Sequence, residues 1–478
     1  MDIREGLTFD DVLLVPKFSD VSSRSETDLS TQLSRNISIN IPLISANMDT
    51  VTESSMAVTI AREGGIGIIH RFLTIQEEVN EVLKVKRSGS VMIENPYSIN
   101  PEQTIQNAFS IMNEKQVSGL LVVDSNSKLV GILTGRDILF EPPNCSKLVK
   151  ELMTKDVVTA KLGIDLEEAK EVLKKNRIEK LPIIDDNNLV KGLITCQDIS
   201  NLEKYPNASK DNKGRPIVGA AVGVKGDFME RTEALIDAGT DAIVVDIAHG
   251  HSENAINTVK NIKKAFSDCE IIAGNVATAK GTEDLIKAGV DAVKVGVGSG
   301  SICITRVITG SGVPQLTAVL DCAKVGKEYN IPIISDGGTR NSGDATKALA
   351  AGASSIMVGS ILGGTDETPG TTITKNNKRF KIYRGMASLG ASMGRKTRET
   401  GAFELTDDIN DYVAEGVDAM VPYKGSVTDI ITQITGGIRS GLSYCGAHNI
   451  KQMHENAEFI KISGAGFAES QPHDVDIM

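Results

Sequence analysis

The sequence contains no tryptophan, and aromatic residues make up only 4% of its 478 residues. Proteins that stack the bases of single-stranded nucleic acids on aromatic side chains need a richer supply of them. Positive charge is also in deficit, because 51 lysines and arginines face 62 aspartates and glutamates and the formal net charge is −11. This balance argues against general binding to nucleic acid or to an anionic membrane. It leaves room for a local phosphate site built from backbone amides.

Long apolar runs and cysteine pairs are missing as well. No apolar stretch approaches the length of a membrane span, and the first residues, MDIREGLTFDD, are too charged for a signal peptide. The six cysteines are scattered without a CxxC pair, which suggests a reducing compartment and no zinc cluster. We therefore expect a cytoplasmic protein that binds neither nucleic acid nor a membrane.

Glycine, by contrast, is abundant, and one glycine-rich stretch organises the chain. The 45 glycines and a hydrophobic content of 40% are typical of a globular α/β protein with many tight loops. Residues 296–315 read GVGSGSICITRVITGSGVPQ and follow a short apolar strand. Such a loop lets the backbone wrap closely around a ligand, and here it also presents the thiol of Cys303. Cys303 is therefore the candidate nucleophile, whereas the other cysteines are expected to be small buried apolar residues.

Eight short apolar segments predict parallel strands. Two lie before residue 88, in IPLISANMDTVTE (41–53) and GGIGIIHRF (64–72). Six follow residue 205 and begin at Val218, Asp241, Glu270, Asp291, Ile331 and Ser354. Their spacing is that of repeated βα units, and their apolar character on both faces suits a parallel sheet that is buried on both sides. The predicted fold class is α/β, a (β/α)8 TIM barrel.

An internal repeat separates these two groups of strands. Its offset is 61 residues, as in Met92 with Met153 and Gly131 with Gly192. A repeat of this size is a duplicated supersecondary unit, and each copy reads as strand, amphipathic helix, two strands and a helix. We predict that residues 89–204 form an inserted module of two units, about 89–148 and 149–204. Residues 1–88 and 205–478 then form the barrel.

Polar residues at the strand ends predict a mononucleotide site, because barrels of this kind bind ligands at the carboxyl ends of their strands. Asp336 ends the strand IPIISD and can accept hydrogen bonds from vicinal ribose hydroxyls. The bare backbone amides of Gly337-Gly338, Gly359-Ser360 and the loop 383–386 suit a phosphate. Each glycine turn alone is compatible with an ordinary βα turn. Their occurrence together favours one ribose and one phosphate.

The segment GSICITR (300–306) resembles the catalytic-cysteine loop of the inosine-monophosphate dehydrogenase and guanosine-monophosphate reductase superfamily. The segments TFDDVLLVP (8–16) and SDGGTRNSGD (335–344) extend the resemblance along the chain. It implies that Cys303 attacks C2 of hypoxanthine, that hydride passes to NAD, and that water hydrolyses the resulting thioimidate to the xanthine nucleotide. It also implies that Thr305 is the hydroxyl near the attacking water.

The same resemblance carries over binding residues, position by position. It implies that the purine nucleoside monophosphate contacts Ser45, Met48, Ser301, Asp336, Gly338, Gly359, Ser360, Tyr383, Gly385, Met386, Ser388 and Glu415. It implies that NAD lies beside Asp246, Ser252, Asn275, Gly296 and Gly298. It implies a potassium ion bound by Gly298, Gly300 and Cys303 and, from a neighbouring subunit of a homotetramer, Glu469, Ser470 and Gln471.

The two repeats resemble a tandem pair of cystathionine-β-synthase (CBS) regulatory modules. In that family a Thr-x-x-Asp at the end of each unit often holds the ribose of an adenine or guanine nucleotide. The corresponding pairs here are Thr134 with Asp137 and Thr195 with Asp198. The alternative is that these modules are purely structural.

One departure leaves the branch of the superfamily open. The dehydrogenases carry an adjacent Arg-Tyr pair in a flap after the YRGM loop, and its arginine helps to activate the hydrolytic water. Residues 389–416 contain Arg395 and Arg398 but no Arg-Tyr dipeptide, so we predict that one of these arginines takes that role. Thr305 and Glu415 could act with it as a hydroxyl–carboxylate relay. The alternative is that both arginines are merely solvated.

Other segments divide between the branches. ANMDT (46–50) resembles the reductases, which need no such arginine, whereas SDGGTRNSGD, VPQLTA and the inserted module favour the dehydrogenases. A third reading, a nucleotide sensor with an inactive barrel, conflicts with the intact GSICITR loop.

Overall fold

The structure is a computed structural model that describes residues 3–89, 92–115, 117–400 and 413–472. The chain forms two compact units. The first comprises Met1–Lys86, Asn207–Asp211 and Pro216–Met478, and the second comprises Arg87–Pro206 and Asn212–Arg215. None of the helices in the described ranges combines the length and the apolar character that a bilayer crossing requires.

The strands are short, with two to seven residues each. In chain order they are β1 (Val12–Leu14), β2 (Thr31–Gln32), β3 (Ser38–Ile39), β4 (Leu43–Ser45), β5 (Ile66–Ile69), β6 (Ser98–Ile99), β7 (Gly119–Val123), β8 (Leu129–Thr134), β9 (Ala160–Lys161), β10 (Lys180–Ile184), β11 (Val190–Thr195), β12 (Val218–Val222), β13 (Ala242–Asp246), β14 (Glu270–Val276), β15 (Ala292–Val295), β16 (Ile333–Asp336), β17 (Ser355–Val358), β18 (Ile373–Lys375), β19 (Lys378–Arg384), β20 (Asp418–Pro422) and β21 (Phe459–Lys461).

Helices occur in both units, and those of the first unit alternate with the strands of the barrel. In chain order they are α1 (Ser54–Arg62), α2 (Ile75–Arg87), α3 (Ile105–Lys115), α4 (Val149–Leu152), α5 (Leu166–Asn176), α6 (Cys196–Lys204), α7 (Phe228–Asp237), α8 (Glu253–Ala265), α9 (Ala279–Ala288), α10 (Thr305–Thr309), α11 (Gln315–Tyr329), α12 (Ser342–Ala350), α13 (Leu389–Thr400), α14 (Val427–Tyr444), α15 (Ile450–Asn456) and α16 (Gly464–Glu469). Short 3-10 helices span Phe9–Asp11 and Arg24–Glu26.

The first unit contains a closed barrel of parallel strands in the order β12-β13-β14-β15-β16-β17-β4-β5. The strand β5 pairs in parallel with β12 and so closes the barrel. These are the eight strands that the sequence predicts, and the (β/α)8 barrel is therefore confirmed. The second unit enters the chain after α2, the helix that follows the second barrel strand.

Side chains of the barrel strands alternate between the barrel centre and the surrounding helices, because successive side chains of a strand face opposite sides. Ile272 and Ala292 belong to a buried cluster inside the barrel, while Ile271 and Val293 belong to a larger cluster shared with the helices. Lys294 interrupts the apolar run of β15, and its side chain is only 3% exposed. Since it lies two residues after Ala292, it faces the barrel centre.

The helices around the barrel begin and end where the sequence indicates. Thr278 caps α9, because its side chain accepts a hydrogen bond from the amide of Gly281 at 3.1 Å. Gly289 follows the helix with a φ of 108°, in the left-handed region that glycine adopts without a steric penalty. Gly239 follows α7 in the same region, with a φ of 91°.

A small antiparallel sheet, β18-β19-β20, belongs to the same unit and was not anticipated from the sequence. Strand β19 ends at Arg384, which is paired with Asp418 at the start of β20. The chain between these two residues contains α13 and the predicted flap. Both ends of that segment are therefore anchored in one sheet.

The second unit contains two three-stranded sheets, β6-β7-β8 and β9-β10-β11. Gly119 is paired with Thr134 in the first sheet, and Lys180 is paired with Thr195 in the second. The repeat of the sequence is thus also a repeat of structure. One prediction is wrong: residues 135–140 after β8 form turns instead of a helix, because a helix there would run into the prolines at 142–143.

We expect the barrel unit to fold and to keep its catalytic activity without the second unit. The chain leaves the first unit after Lys86 and returns at Asn207. Lys86 Nζ donates to Asp211 Oδ2 at 3.0 Å, and Asn40 Nδ2 donates to the carbonyl of Asn207 at 2.8 Å. The two ends are thus anchored close together on the barrel, so a short linker can replace residues 88–205 at little entropic cost.

Circular dichroism, thermal unfolding and turnover of this deletion variant, measured beside the full chain, check the expectation. The barrel should melt within about 4 °C of its transition in the full chain, a shift on the order of 1 kcal/mol or less. An insoluble product, or a folded product without basal turnover, would show that the second unit is needed for more than regulation.

Candidate active site

Four consecutive barrel strands bring polar side chains together at one end of the barrel. They are Asp246 at the end of β13, Asn275 in β14, Lys294 in β15 and Asp336 at the end of β16. Lys294 Nζ donates to Asp246 Oδ1 at 3.0 Å, to Asp336 Oδ2 at 2.8 Å and to Asn275 Oδ1. Asn275 Nδ2 donates to Asp336 Oδ2 at 3.0 Å. The sequence analysis missed Lys294, although a lysine in the middle of a buried strand is a signal in itself.

Two adjoining cavities open beside this cluster. The first, of about 290 Å³, is lined by the predicted substrate residues Met48, Ser301, Asp336, Gly338, Gly359, Ser360 and Tyr383. The second, of about 500 Å³, is lined by Cys303, Thr305, Met386, Asp246, Asn275, Gly296, Gly298 and Gly300. Met48 and Asp336 line both cavities, so a ligand in one lies next to a ligand in the other.

The first cavity has tight turns and a protonated phenol on its wall. Gly337 and Gly338 have φ values of 89° and 78°, which favour glycine. A Cβ atom at Gly359 would come within 3.0 Å of both the Tyr383 hydroxyl oxygen and the Met48 sulfur. Burial raises the pKa of Tyr383 to about 12, so its hydroxyl keeps its proton and remains a hydrogen-bond donor.

A hydrogen-bonded series of three side chains begins at the second cavity, which Cys303 and Thr305 line. Cys303 Sγ lies 3.1 Å from Thr305 Oγ1, and Thr305 Oγ1 donates to Glu415 Oε2 at 2.8 Å. Thr305 therefore lies between a thiol and a carboxylate that can take up a proton. Glu415 is 110 residues away from Thr305 in the sequence, so only the fold brings the two together.

Backbone hydrogen bonds hold this series in place. The amide of Ile304 donates to the carbonyl of Glu415 at 2.8 Å, and the amide of Glu415 donates to the carbonyl of Ala387 at 3.1 Å. The amide of Val417 donates to the carbonyl of Ile302 at 3.0 Å. The segment before β20 thus joins the cysteine loop to the chain that follows β19.

Two further residues missed by the sequence analysis shape the cysteine loop. Arg306 Nη2 donates to the carbonyls of Val313, at 2.6 Å, and Val297, at 3.2 Å. Gln315 Nε2 donates to the carbonyl of Val295 at 2.9 Å. A Cβ atom at Gly298 would lie 2.4 Å from Arg306 Cγ, so the close packing of the arginine requires a glycine there.

Three of the five cysteines other than Cys303 are buried as the sequence indicates, whereas Cys269 is half-buried and Cys196 is exposed. Cys303 is half-buried, whereas Cys145, Cys322 and Cys445 are buried. Burial raises the pKa of Cys322 to about 12, which keeps its thiol protonated at neutral pH. Cys196 was expected to be buried and is exposed, because it starts the surface helix α6.

Five predicted binding residues line neither cavity, and Glu415, described above, is one of them. Ser45 is fully buried and accepts a hydrogen bond from Thr52 Oγ1 at 2.9 Å. Ser388 is also fully buried, and its hydroxyl donates to Asp418 Oδ1 at 2.7 Å. Gly385 contributes a backbone hydrogen bond to Val417 instead. Ser252 precedes α8, and its buried hydroxyl finds no partner within the described part of the chain.

The residues predicted to bind potassium lie in two places. Gly298, Gly300 and Cys303 belong to one loop, in which the amide of Cys303 donates to the carbonyl of Gly300 at 3.1 Å. Glu469 and Ser470 are exposed at the end of α16, and Gln471 follows them. The predicted contribution of these last three to a neighbouring subunit stays a prediction.

The remaining predictions concern the flap and the second unit. Arg395 and Arg398 belong to α13, but their side chains and residues 401–412 lie outside the part of the chain that is described. In the second unit, Thr134 Oγ1 donates to Asp137 Oδ2 at 2.8 Å, and Thr195 Oγ1 donates to Asp198 Oδ2 at 2.5 Å. Each aspartate is thus paired with the threonine of its own motif.

Comparison with known proteins identifies the family. A family model described as "IMP dehydrogenase / GMP reductase domain" matches residues 6–473. The chain belongs to the IMP dehydrogenase / GMP reductase family. Inosine-5′-monophosphate dehydrogenase of Nitrosopumilus maritimus is 75% identical over the full length of both chains. The enzyme of the same name from Aquifex aeolicus is 53% identical over 99% of this chain and 96% of its own length.

The solved structures include the other branch of the IMP dehydrogenase / GMP reductase family. The C318A variant of GMP reductase from Trypanosoma brucei, in complex with guanosine 5′-monophosphate, superposes with a TM-score of 0.92. It is 45% identical, and the match covers 99% of both chains. Because a reductase matches the whole chain, the inserted unit does not separate the two branches as the sequence analysis supposed.

Proposed function

We propose that this protein is an NAD-dependent IMP dehydrogenase, which oxidises inosine 5′-monophosphate to xanthosine 5′-monophosphate in guanine nucleotide biosynthesis. The observation that carries the proposal is the hydrogen-bonded series Cys303–Thr305–Glu415, in which Cys303 and Thr305 line a cavity together with Asp336. The 75% identity with a full-length IMP dehydrogenase favours this branch over the reductase branch.

In the proposed reaction, the sulfur of Cys303 attacks as the thiolate and bonds to C2 of the hypoxanthine ring while the C2–N3 double bond opens, and that double bond forms again when hydride leaves C2. Asp336 Oδ1, the oxygen not engaged by Lys294, accepts hydrogen bonds from the ribose hydroxyls. Bound NAD supplies the acceptor for the hydride that leaves C2. Water then bonds to C2 as the C2–S bond breaks, and Thr305 passes the proton of that water to Glu415.

The second cavity suits the cofactor by its donor set. Asp246 engages Lys294 through Oδ1, which leaves Oδ2 for a hydroxyl of the nicotinamide ribose. The carbonyl oxygens of Gly298, Gly300 and Cys303 are hard ligands of the kind that potassium takes. In our proposal Glu469, Ser470 and Gln471 of a neighbouring subunit complete that site in a cytoplasmic homotetramer.

The second unit is proposed to be a CBS pair that regulates the barrel. Its repeat of sheet register fits a duplicated module. Adenine or guanine nucleotides are proposed to bind at Thr134 with Asp137 and at Thr195 with Asp198, where each pair sits at the end of a strand.

The test of the proposed function is a comparison of three mixtures of the purified protein. Inosine 5′-monophosphate with NAD should raise the nicotinamide absorbance, and omission of potassium should reduce the rate. Guanosine 5′-monophosphate with NADPH should leave the absorbance unchanged. A fall in absorbance in that second mixture would instead identify a GMP reductase, and silence in both mixtures with intact nucleotide binding would identify a sensor.

GMP reductase is the second candidate, and one observation favours it. The segment 389–416 contains no Arg-Tyr dipeptide, and a reductase performs no hydrolysis for which such an arginine would be needed. The T. brucei GMP reductase also matches the full chain. Its identity of 45% is nevertheless well below the 75% of the archaeal dehydrogenase.

A further inference from the structure

Lys294 is the centre of the polar cluster at the carboxyl end of the barrel. An ammonium group has three N–H donors, and Lys294 makes three hydrogen bonds, to Asp246, Asp336 and Asn275. Its side chain is 3% exposed, so water does not compete for these donors. Burial alone would lower the pKa of Lys294, but the two carboxylates outweigh it and raise that pKa, so the group stays charged.

The two acids that share Lys294 serve different ligands in the proposed function. Asp336 lines both cavities and is assigned to the nucleotide ribose, whereas Asp246 lines only the second cavity and is assigned to the cofactor. Each acid accepts a hydrogen bond from Lys294 through one carboxylate oxygen, Oδ1 of Asp246 and Oδ2 of Asp336. Asn275 also donates to Asp336, and Asn47 and Arg71 also interact with Asp246, but Lys294 is a cation that both acids share.

We propose that Lys294 is a positioning residue that couples the nucleotide subsite to the cofactor subsite, because one ammonium group orients Asp336 and Asp246 together. This inference rests on the proposed function for the assignment of the two ligands. A change at one acid alters how strongly the ammonium group holds the other. The two ligands are then not bound independently, although they contact different carboxylates.

The test is a double-mutant cycle read by calorimetric titration with inosine 5′-monophosphate alone, without cofactor or turnover. Asp246→Asn is made in the unmodified chain and in a Lys294→Gln chain. The direct effect of the lost carboxylate charge on the nucleotide phosphate occurs in both backgrounds and cancels. The difference that remains between the two backgrounds is the part of the change in nucleotide affinity that depends on Lys294.

We expect Asp246→Asn to change the dissociation constant of the nucleotide by about threefold or more in the unmodified chain, and by less than about twofold in the Lys294→Gln chain. Lys294→Gln by itself should weaken nucleotide binding by about tenfold or more, because Asp336 loses its charged partner. Lys294→Arg should restore part of that loss, since it keeps the charge. Equal effects of Asp246→Asn in both backgrounds would overturn the coupling.

The barrel offers a matched control for a purely structural role. Lys86 is also 3% exposed and also pairs with two acids, Asp211 at 3.0 Å and Asp241 at 2.6 Å, but it lines neither cavity. Lys86→Gln should lower the thermal midpoint as Lys294→Gln does, because each substitution removes a charged partner that two carboxylates share. It should leave nucleotide affinity within about twofold. A similar loss of affinity in both variants would reduce Lys294 to a structural ion pair and refute the proposal.

Folding of the variants is checked by circular dichroism before titration. Should Lys294→Gln not fold, the cycle is run with Lys294→Arg. The larger, forked guanidinium group keeps the charge but changes the hydrogen-bond geometry to the two acids. Turnover of the unmodified protein tests the proposed function, whereas the nucleotide dissociation constants of the variants test the coupling. Because a reductase would also bind the nucleotide through Asp336, the coupling can hold even if the protein is not a dehydrogenase.

Discussion

Replacing Cys303 with alanine is expected to abolish turnover, with a fall in kcat of about 10⁴-fold or more, typical of the loss of a covalent nucleophile. Nucleotide affinity should stay within about tenfold, because the contacts to ribose and phosphate come from other loops. The structure supports this separation, since Cys303 lines the second cavity whereas the glycine turns and Tyr383 line the first. Steady-state kinetics and calorimetric titration measure the two quantities.

Cys269→Ala is the matched control for this variant. Cys269 is half-buried like Cys303, but burial raises its pKa to about 11, so its thiol is protonated at neutral pH. This variant should keep its activity. Full activity of the Cys303→Ala variant would refute the covalent mechanism, and loss of nucleotide binding in it would show that the loop itself had rearranged.

Replacing Glu415 with glutamine is expected to slow hydrolysis of the covalent intermediate by about 100-fold or more, while hydride transfer stays comparatively fast. Glutamine can still accept the hydrogen bond from Thr305 but cannot take up a proton at neutral pH. Rapid mixing of the variant with inosine 5′-monophosphate and NAD should show a burst of reduced cofactor followed by a slow steady rate. Acid quenching during the slow phase should trap protein that carries the purine.

Another acid of the same unit supplies the control for Glu415. Glu367 accepts a hydrogen bond from the amide of Val427 at 2.9 Å and lines neither cavity, so Glu367→Gln should leave both phases unchanged. Arg395→Ala and Arg398→Ala form the competing arms. Slow hydrolysis in either arginine variant, with normal hydrolysis in Glu415→Gln, would assign activation of the water to the flap instead of Glu415. No burst in any variant or in the unmodified protein would favour the reductase.

Local patterns in the sequence were sufficient for the outline of the fold. Periodic apolar segments predicted the barrel strands, and the 61-residue offset predicted two related units. These features depend on side-chain periodicity and on backbone preferences within a few residues, which a sequence displays directly. The same holds for the glycine loop around Cys303, whose motif lies within one short segment.

Contacts between distant residues were decided by the tertiary structure alone. Thr305 and Glu415 meet because the segment before β20 hydrogen-bonds to the cysteine loop. Ser388 fits the binding motif in sequence, yet the fold pairs it with Asp418 in the interior. Motif matching assigns a position, whereas the direction of a side chain depends on what packs against it.

The sequence by itself determined the (β/α)8 barrel, the repeated insertion and the place of the proposed nucleophile, because each follows from local periodicity or a short motif. The tertiary structure decided how the charges are shared. Lys294 looked like an interruption in a buried strand, and only closure of the barrel brings Asp246 and Asp336 within reach of its one ammonium group. Because Lys294 is buried, water does not screen the attraction between its ammonium group and the two carboxylates, and that attraction is strong.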